Sequence, residues 1–527
     1  MGEHVIAVDV GTGSARAGVF DLAGRQLARA VTPIGLHRPQ VLHYEQDSED
    51  IWAAVCRSVR EARQEAALPP EAIAAIGFDA TCSLVTRSGD GASLPISTSG
   101  HGSFDTMLWM DHRARAEAAE CSLADDPVVE RFGGRLSPEM QAAKLLWLKR
   151  HLPHIWAQAG QIFDLCDYLT WRATGSTARS HSPLASKWGY EPGAPGARPD
   201  EFYRRIGLAD LAERAGIPPV STPLGRPIGP LSAGAANALG LTDRCIVAPG
   251  LIDAYAGAIG AFASDGVGDF EKKAALIAGT SSCIIRFDRE AKTKTGCWGA
   301  FRDVALTDLW LMEAGQSASG ALLDHLIRTH PSGRSPSPPS PLSLLDAIAE
   351  RLASEGPGFG APLTLLPDFY GARSPLTDPD LTGSVAGLTL DDSYDGLCKL
   401  FWRACVGLAC SIRDILSNMP GNETLDTLLM AGGFVSHPLI PALYANVTGK
   451  TVVSNPERDS VLFGCAIHAM RASGLTRDLS VFADAGSHGR NVSRPTPAAT
   501  RLYERDYVAF QAMKRHRSEL AAIYARP

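Results

Sequence analysis

One local pattern occurs twice in this chain, and the repetition limits what it can fold into. Val5-Ile-Ala-Val-Asp9-Val10 reads as a buried strand, Gly11-Thr-Gly-Ser14 as a tight turn, and Arg16 to Phe20 as the returning strand. Far along the chain, Ala274 to Ala278, Gly279-Thr-Ser-Ser282 and Cys283 to Phe287 repeat the arrangement. Glycines in such turns admit close approach, their N–H groups can point at phosphate oxygens, and Thr12 and Ser14 add hydroxyls. Asp9 cannot favour phosphate directly, so its functional reading is a magnesium ion held through water. Either turn alone reads equally well as an ordinary polar hairpin, with Asp9 capping the first. Two of them, one in each half, predict a duplicated α/β fold with two phosphate-gripping hairpins.

At 527 residues the chain is too long for one ordinary core and suggests two large domains. The net charge of -7, with Lys and Arg scattered singly, argues against nucleic acid as a partner. No apolar run reaches membrane-spanning length, and the start lacks a secretory signal. The 11 cysteines are scattered, with no C-x-x-C pair, which suits reduced thiols in a cytoplasmic protein better than disulfides or zinc.

Between the two hairpins lies Pro249-Gly-Leu-Ile-Asp253-Ala-Tyr-Ala-Gly257-Ala-Ile-Gly260, one acid among small and apolar residues. A strand is expected to run into it and a closely packed helix to follow. Taken alone, Asp253 reads as a helix cap. Ser48 is expected to open a helix with Ile51, Trp52, Val55 and Val59 on one face. A strand from Ile73 to Phe78 leads into Asp79-Ala-Thr-Cys82, placing polar residues at another strand end. Glu313 follows an aromatic strand, and His330 to Pro341, rich in Pro and Ser, reads as a linker or insertion. A long helix, apolar nearly all round, lies within Asp391 to Met419. Thr427 to Met430 then runs into Gly432-Gly433, which reads as a simple strand–helix turn or as a flat seat for a purine. There is no G-x-x-x-x-G-K-[ST] loop, no G-x-G-x-x-G, no G-x-S-x-G elbow and no metal-ligand cluster in the sequence.

Asp9-Val-Gly-Thr-Gly-Ser14, Gly279-Thr-Ser and Gly432-Gly433, in this order, are similar to the two phosphate motifs and the adenosine motif of the actin/Hsp70/sugar-kinase superfamily. Asp253-Ala-Tyr-Ala-Gly257 resembles the catalytic segment of the FGGY carbohydrate kinases. Gly77-Phe-Asp-Ala-Thr-Cys-Ser-Leu-Val85, Asp111-His-Arg-Ala114, Lys144-Leu-Leu-Trp-Leu-Lys149 and Gly279-Thr-Ser-Ser-Cys283 look like the D-ribulose kinase branch of the pentulose kinases.

The resemblance implies an α/β fold of two actin-like (ribonuclease H-like) domains, 1–262 and 263–527. Each would be a mixed five-stranded sheet flanked by helices, with the active site in the cleft between them. It implies ATP-dependent phosphorylation of a pentulose at its terminal hydroxyl, D-ribulose before L-ribulose, ribitol or D-xylulose. A different class, a non-catalytic actin-like ATP-binding protein, would need no sugar-facing acid or lysine. By position, Asp253 matches the general base. Thr12, Gly13, Ser14 and Arg16 match the first phosphate hairpin, and Gly279 and Thr280 the second. Gly315, Ser319, Gly432 and Gly433 fall where nucleotide lies. His437 stands where related kinases often carry Asn, so its contact with the base would differ. Asp9 and Asp253 would lie near Mg²⁺. Asp79, Ala80, Thr81, Lys187 and Glu313 fall around the sugar. Lys144 reads as structural, and Gln141 departs from the family signature. Partners implied are a small sugar, with no nucleic acid and no membrane; a homodimer is compatible with the sequence but not set by it. A helix start would lower the pKa of Asp253, tolerable for a base in a loose transition state.

Overall fold

The computed structural model describes residues 2–524 apart from 101, 267, 477–481 and 483–488. It divides into two compact units. The first comprises Met1–Gly268, Phe287–Met312 and Asp459–His488, the second Asp269–Arg286, Glu313–Arg458 and Gly489–Pro527.

In chain order, β1 (His4–Val10), β2 (Ser14–Asp21) and β3 (Gln26–Pro33) are followed by α1 (Ser48–Glu65) and β4 (Ile73–Ala80). Then come α2 (Gln141–His151), α3 (His181–Lys187), β5 (Ile246–Val247), β6 (Leu251–Ile252) and α4 (Asp253–Asp265). Next are β7 (Lys273–Ala278), β8 (Ser282–Asp288), β9 (Trp310–Gln316), α5 (Gly320–Thr329) and α6 (Pro341–Glu355). The chain ends with α7 (Tyr394–Asn418), β10 (Thr427–Ala431), α8 (Leu439–Thr448), β11 (Thr451–Ser454), α9 (Ser460–Ala472) and α10 (Pro497–Tyr524).

In the first unit the sheet has seven strands rather than the five expected, running β3-β2-β1-β4-β5 and on to a short edge strand at Gly229–Pro230, with β6 also pairing β4. β2 is antiparallel to both β1 and β3, whereas β4 is parallel to β1, and β5 and β6 are parallel to β4. The second sheet, also seven-stranded, repeats this order within it as β9-β8-β7-β10-β11. There β8 is antiparallel to β7, β10 parallel to β7 and β11 parallel to β10. The strand–turn–strand repeat read from the sequence is thus the opening hairpin of two like-ordered sheets. β1 and β4 are apolar along nearly their whole length because each is covered on both faces. On α1, Ile51, Val55 and Val59 are wholly buried and Trp52 nearly so, each contributing about 1.5–3 kcal/mol of transfer free energy.

α1 begins at Ser48 as expected, capped by Asp47, whose carboxylate accepts the Glu49 N–H at 2.8 Å, while Ser48 turns inward to Asp105. Part of the stretch expected as a linker or insertion is regular: a 3₁₀ turn spans Pro331–Arg334, and α6 begins at Pro341 under a Ser340 cap. A Cβ on the buried Gly333 would collide with the Ile327 carbonyl of α5, so this turn lies directly on that helix.

Helices α4 and α9 meet backbone to backbone. A Cβ built on Gly260 would run into the Ser460 carbonyl oxygen, and one on Gly464 into that of Ala256. No rotamer change relieves a clash with main chain, so the helices would have to move apart. We expect Gly260→Ala and Gly464→Ala each to lower stability by about 1–3 kcal/mol in chemical denaturation; wild-type midpoints in both would contradict this packing.

Candidate active site

Strand register places the acids of the first unit. Asp9 on β1 lies opposite Asp79 on β4, and Asp79 lies opposite Leu251 on β6. Asp253, two residues beyond Leu251, therefore emerges at the carboxyl ends of the parallel strands, where open α/β sheets bind ligands. It is the first residue of α4; the N-cap position belongs to Ile252, which makes no side-chain cap. Asp253 thus stands one residue inside the cap position expected for it, and its half-buried carboxylate accepts the Ala254 N–H at 2.7 Å. The segment before it is held by α9, where His468 Nε2 donates to the Pro249 carbonyl at 2.8 Å. Burial lowers the His468 pKa to about 4, keeping that ring neutral near pH 7.

Asp9 is buried and accepts from the Arg16 guanidinium. Arg16 also reaches Asp459 at 2.9 Å, and Asp459 caps α9 through the Leu462 N–H at 3.3 Å. The first hairpin is thereby tied to the helix that carries His468. Its turn closes with the Gly11 N–H on the Ser14 carbonyl at 3.1 Å, and Thr12 Oγ1 accepts the Trp109 indole N–H at 3.1 Å. Gly13 is exposed, and a Cβ there would meet nothing within 4 Å. Among the described residues no group of three or more His, Cys, Asp or Glu is placed to hold a metal ion.

Asp79 is entirely buried, as is Ala80, and Thr81 is nearly so. Neither Asp79 oxygen has a well-formed hydrogen bond among the described residues; the Cys465 thiol lies beside it, its sulfur 3.8 Å from the Val8 carbonyl. Burial first, and then the negative charge of Asp253, hold the Asp79 pKa well above its ordinary 3.8. Folded, the residue keeps its proton across a pH range in which the unfolded chain has lost it. Its contribution to stability is complete below about pH 4 and declines as pH rises. In melts from pH 4 to pH 8, Asp79→Asn should therefore gain on the wild type as pH rises; a constant difference would contradict a protonated Asp79.

Lys187 ends α3 with its ammonium 4.5 Å from the Trp298 ring centroid and 6.0 Å from that of Tyr255, in cation–π range of both. Behind it, Asp164 accepts from Gln141 Nε2 at 2.9 Å, and its pKa is raised to about 6, chiefly by burial. Gln141 also donates to the Cys82 carbonyl at 3.1 Å, which gives the departure from the family signature a bridging role. Lys144, fully buried on α2, donates to the Leu108 carbonyl at 2.6 Å, the structural role read from the sequence.

In the second unit Gly279 and Thr280 are exposed at the turn between β7 and β8. Their carbonyls accept from the N–H groups of Ser319, Gly320 and Ala321 at 2.9–3.1 Å, and Ser319 Oγ donates to the Gly279 carbonyl at 3.1 Å. Ser319 thus braces this hairpin against the start of α5. Gly315 lies against the Ser282 backbone, where a Cβ would not fit. The two glycines after β10 differ in kind. Gly432 has φ +118° and a Cβ on it would strike the Ala278 carbonyl, whereas Gly433 is exposed with nothing within 4 Å of a Cβ. His437 is engaged at both ring nitrogens: Nδ1 accepts the Leu439 N–H at 3.3 Å, and Nε2 lies 3.3 Å from Asp346. Glu313, buried in β9, faces Arg373 at 3.8 Å and the Cys283 thiol at 3.8 Å. Arg373, Asp459, Trp298 and Tyr255 were not singled out in the sequence; only the fold brings them to these partners.

The family's N-terminal domain, described as that of the FGGY family of carbohydrate kinases, matches residues 4–260, and its C-terminal domain matches residues 274–473. The chain belongs to the FGGY carbohydrate kinases. A human FGGY carbohydrate kinase domain-containing protein is 36% identical over 99% of this chain and 98% of its own length. A D-ribulokinase of Saccharomyces cerevisiae is 35% identical, covering 89% of this chain and 72% of that protein. Ligand-bound xylulose kinase from Lactobacillus acidophilus matches the kinase in fold, with a TM-score of 0.80 at 21% identity over 99% of each chain. The two repeated sheets are those of the two actin-like domains of this family. FGGY kinases use ATP as phosphate donor. Among the described residues of the kinase, no helix is long and apolar enough to cross a membrane.

If Gly433 seats nucleotide, a methyl group there should weaken ATP binding at little cost to the fold. Gly433→Ala is expected to retain the wild-type melting midpoint while raising the nucleotide Kd, and Gly432→Ala to lose stability first. Calorimetric titration and melting of the two variants separate these outcomes.

Proposed function

We propose that this kinase phosphorylates a pentulose at its terminal hydroxyl, most specifically D-ribulose to D-ribulose 5-phosphate. The observation that carries the reading is the place of Asp253: a half-buried carboxylate at the carboxyl ends of the parallel strands, ahead of a helix that cannot shift without losing its contact with α9. The D-ribulokinase named among the relatives, at 35% identity, supports the choice of sugar. Proteins named ribulokinase, at 29% and 26% identity, support a ribulose as the substrate, with L-ribulose, ribitol and D-xylulose as the alternatives.

MgATP supplies the γ-phosphoryl group and neutralises charge on it. The protein's share is alignment and electrostatic stabilisation. Asp253 accepts the proton of the attacking sugar hydroxyl. Hairpin N–H groups around Gly13 and Gly279, with the hydroxyls of Thr12, Ser14 and Thr280, bear on phosphate oxygens. Asp9, ion-paired with Arg16, would hold a magnesium ion through water. Lys187 and Glu313 hold sugar hydroxyls, while the buried Asp79–Thr81 strand end supports the wall beside them. Gly432 and Gly433 take the adenosine.

Removing a general base slows a reaction by about 10²–10⁴-fold. Asp253→Ala should retain ATP binding and the fold while pentulose-dependent ADP release falls by at least that factor. A coupled ADP-release screen over D-ribulose, L-ribulose, D-xylulose, ribitol and glycerol tests both parts. Near-normal turnover in the variant would exclude the base role, and ADP formation independent of added sugar would favour an actin-like ATPase.

A further inference from the structure

Glu313 sits in a setting that the pentulose kinase reading does not account for. It is buried on β9, and a carboxylate withdrawn from water needs a compensating cation. That cation is Arg373, itself buried, with Nη1 3.8 Å from Glu313 Oε1 and 3.2 Å from the Cys283 sulfur. Cys283 stands on β8, the neighbour of β9 in the sheet, so guanidinium, thiol and carboxylate form one buried cluster.

The loop that presents Arg373 is fastened beside Glu313. Ala372 and Asp378 exchange backbone hydrogen bonds of 2.8 Å in both directions, which pinches the loop shut. The Arg373 carbonyl accepts from Thr377, through its N–H at 3.0 Å and its hydroxyl at 3.1 Å. Ser374 then bonds to Gly315, two residues from Glu313 on the same strand, donating to its carbonyl at 3.2 Å and accepting its N–H at 3.3 Å. Gly315 lies so close to the Ser282 backbone that this part of β9 has little freedom to shift. The cation is therefore delivered by a closed loop stitched to the strand that carries the acid.

We propose that Arg373 is a positioning residue for the sugar: it pairs with Glu313 and fixes it in one orientation, so that its oxygens are ready to accept pentulose hydroxyls. This rests on Glu313 facing the sugar in the reaction proposed above. A rigid acceptor distinguishes pentulose from water by geometry, and it acts on sugar binding without touching nucleotide.

The test compares wild type, Arg373→Met, Arg373→Lys, Glu313→Gln and the Arg373→Met/Glu313→Gln double variant, each with melting midpoint, ATP KM, pentulose KM and kcat. Stripping one partner from a buried charge pair costs enough to raise the pentulose KM of Arg373→Met about 30-fold or more, while the ATP KM stays within about 2-fold. Arg373→Lys, which keeps the charge without the planar fork, should show a smaller rise and carries the comparison if the Met variant does not fold. The double variant should be no worse than the poorer single one, because both changes remove the same interaction. An active wild type with unchanged pentulose KM in the Arg373 variants, equal changes in both KM values, or losses that multiply would overturn the positioning role and leave the kinase reading standing. A wild type that turns over no pentulose would overturn both.

Discussion

The contact between α4 and α9 is the constraint on which the catalytic geometry of the first unit depends. Gly260 and Gly464 bring two helices so close that the main chain of each occupies the space a side chain would need on the other. α4 begins with Asp253, and α9 carries His468 and Cys465 and is capped by Asp459. One helix thus bears on three parts of the site at once. It holds the Pro249 carbonyl ahead of Asp253, borders the Asp79 carboxyl and anchors the Arg16 guanidinium that pairs with Asp9. Side chains can adjust by rotamer; a main-chain contact cannot, and that stiffness suits a reaction in which alignment supplies most of the catalysis.

Burial divides the acids at the strand ends into different kinds. Asp9 is ion-paired with Arg16 beside the first hairpin. Asp79, opposite it in the sheet, has no such ion pair among the described residues, and burial raises its pKa well above the ordinary carboxylate value. Asp253, half-buried, raises the Asp79 pKa further by its own charge.

Much of the architecture was legible in the residues. The doubled strand–Gly-Thr–strand pattern became the opening hairpin of two sheets with one strand order, and the apolar face of α1 is the face that is buried. The start of α1 at Ser48 was legible too, but not its cap Asp47 or the pull of Asp105 on Ser48, which depends on tertiary contact. Composition alone suggests a linker or insertion before α6, because it does not show that Gly333 fits flush against α5.

The sequence by itself determined the family and the duplicated α/β fold, since these reside in local patterns: glycines at turns, acids at strand ends, apolar runs of strand length. Only the tertiary structure decided how those residues are held. It made Gly432 a packing glycine and left Gly433 open, closed His437 between Leu439 and Asp346, and brought Arg373 to Glu313 across sixty residues of chain. The reason is physical. A local motif records what one short stretch of backbone can do, whereas the ionisation and orientation of a buried group depend on charges and surfaces from distant segments, which meet only when the chain has folded.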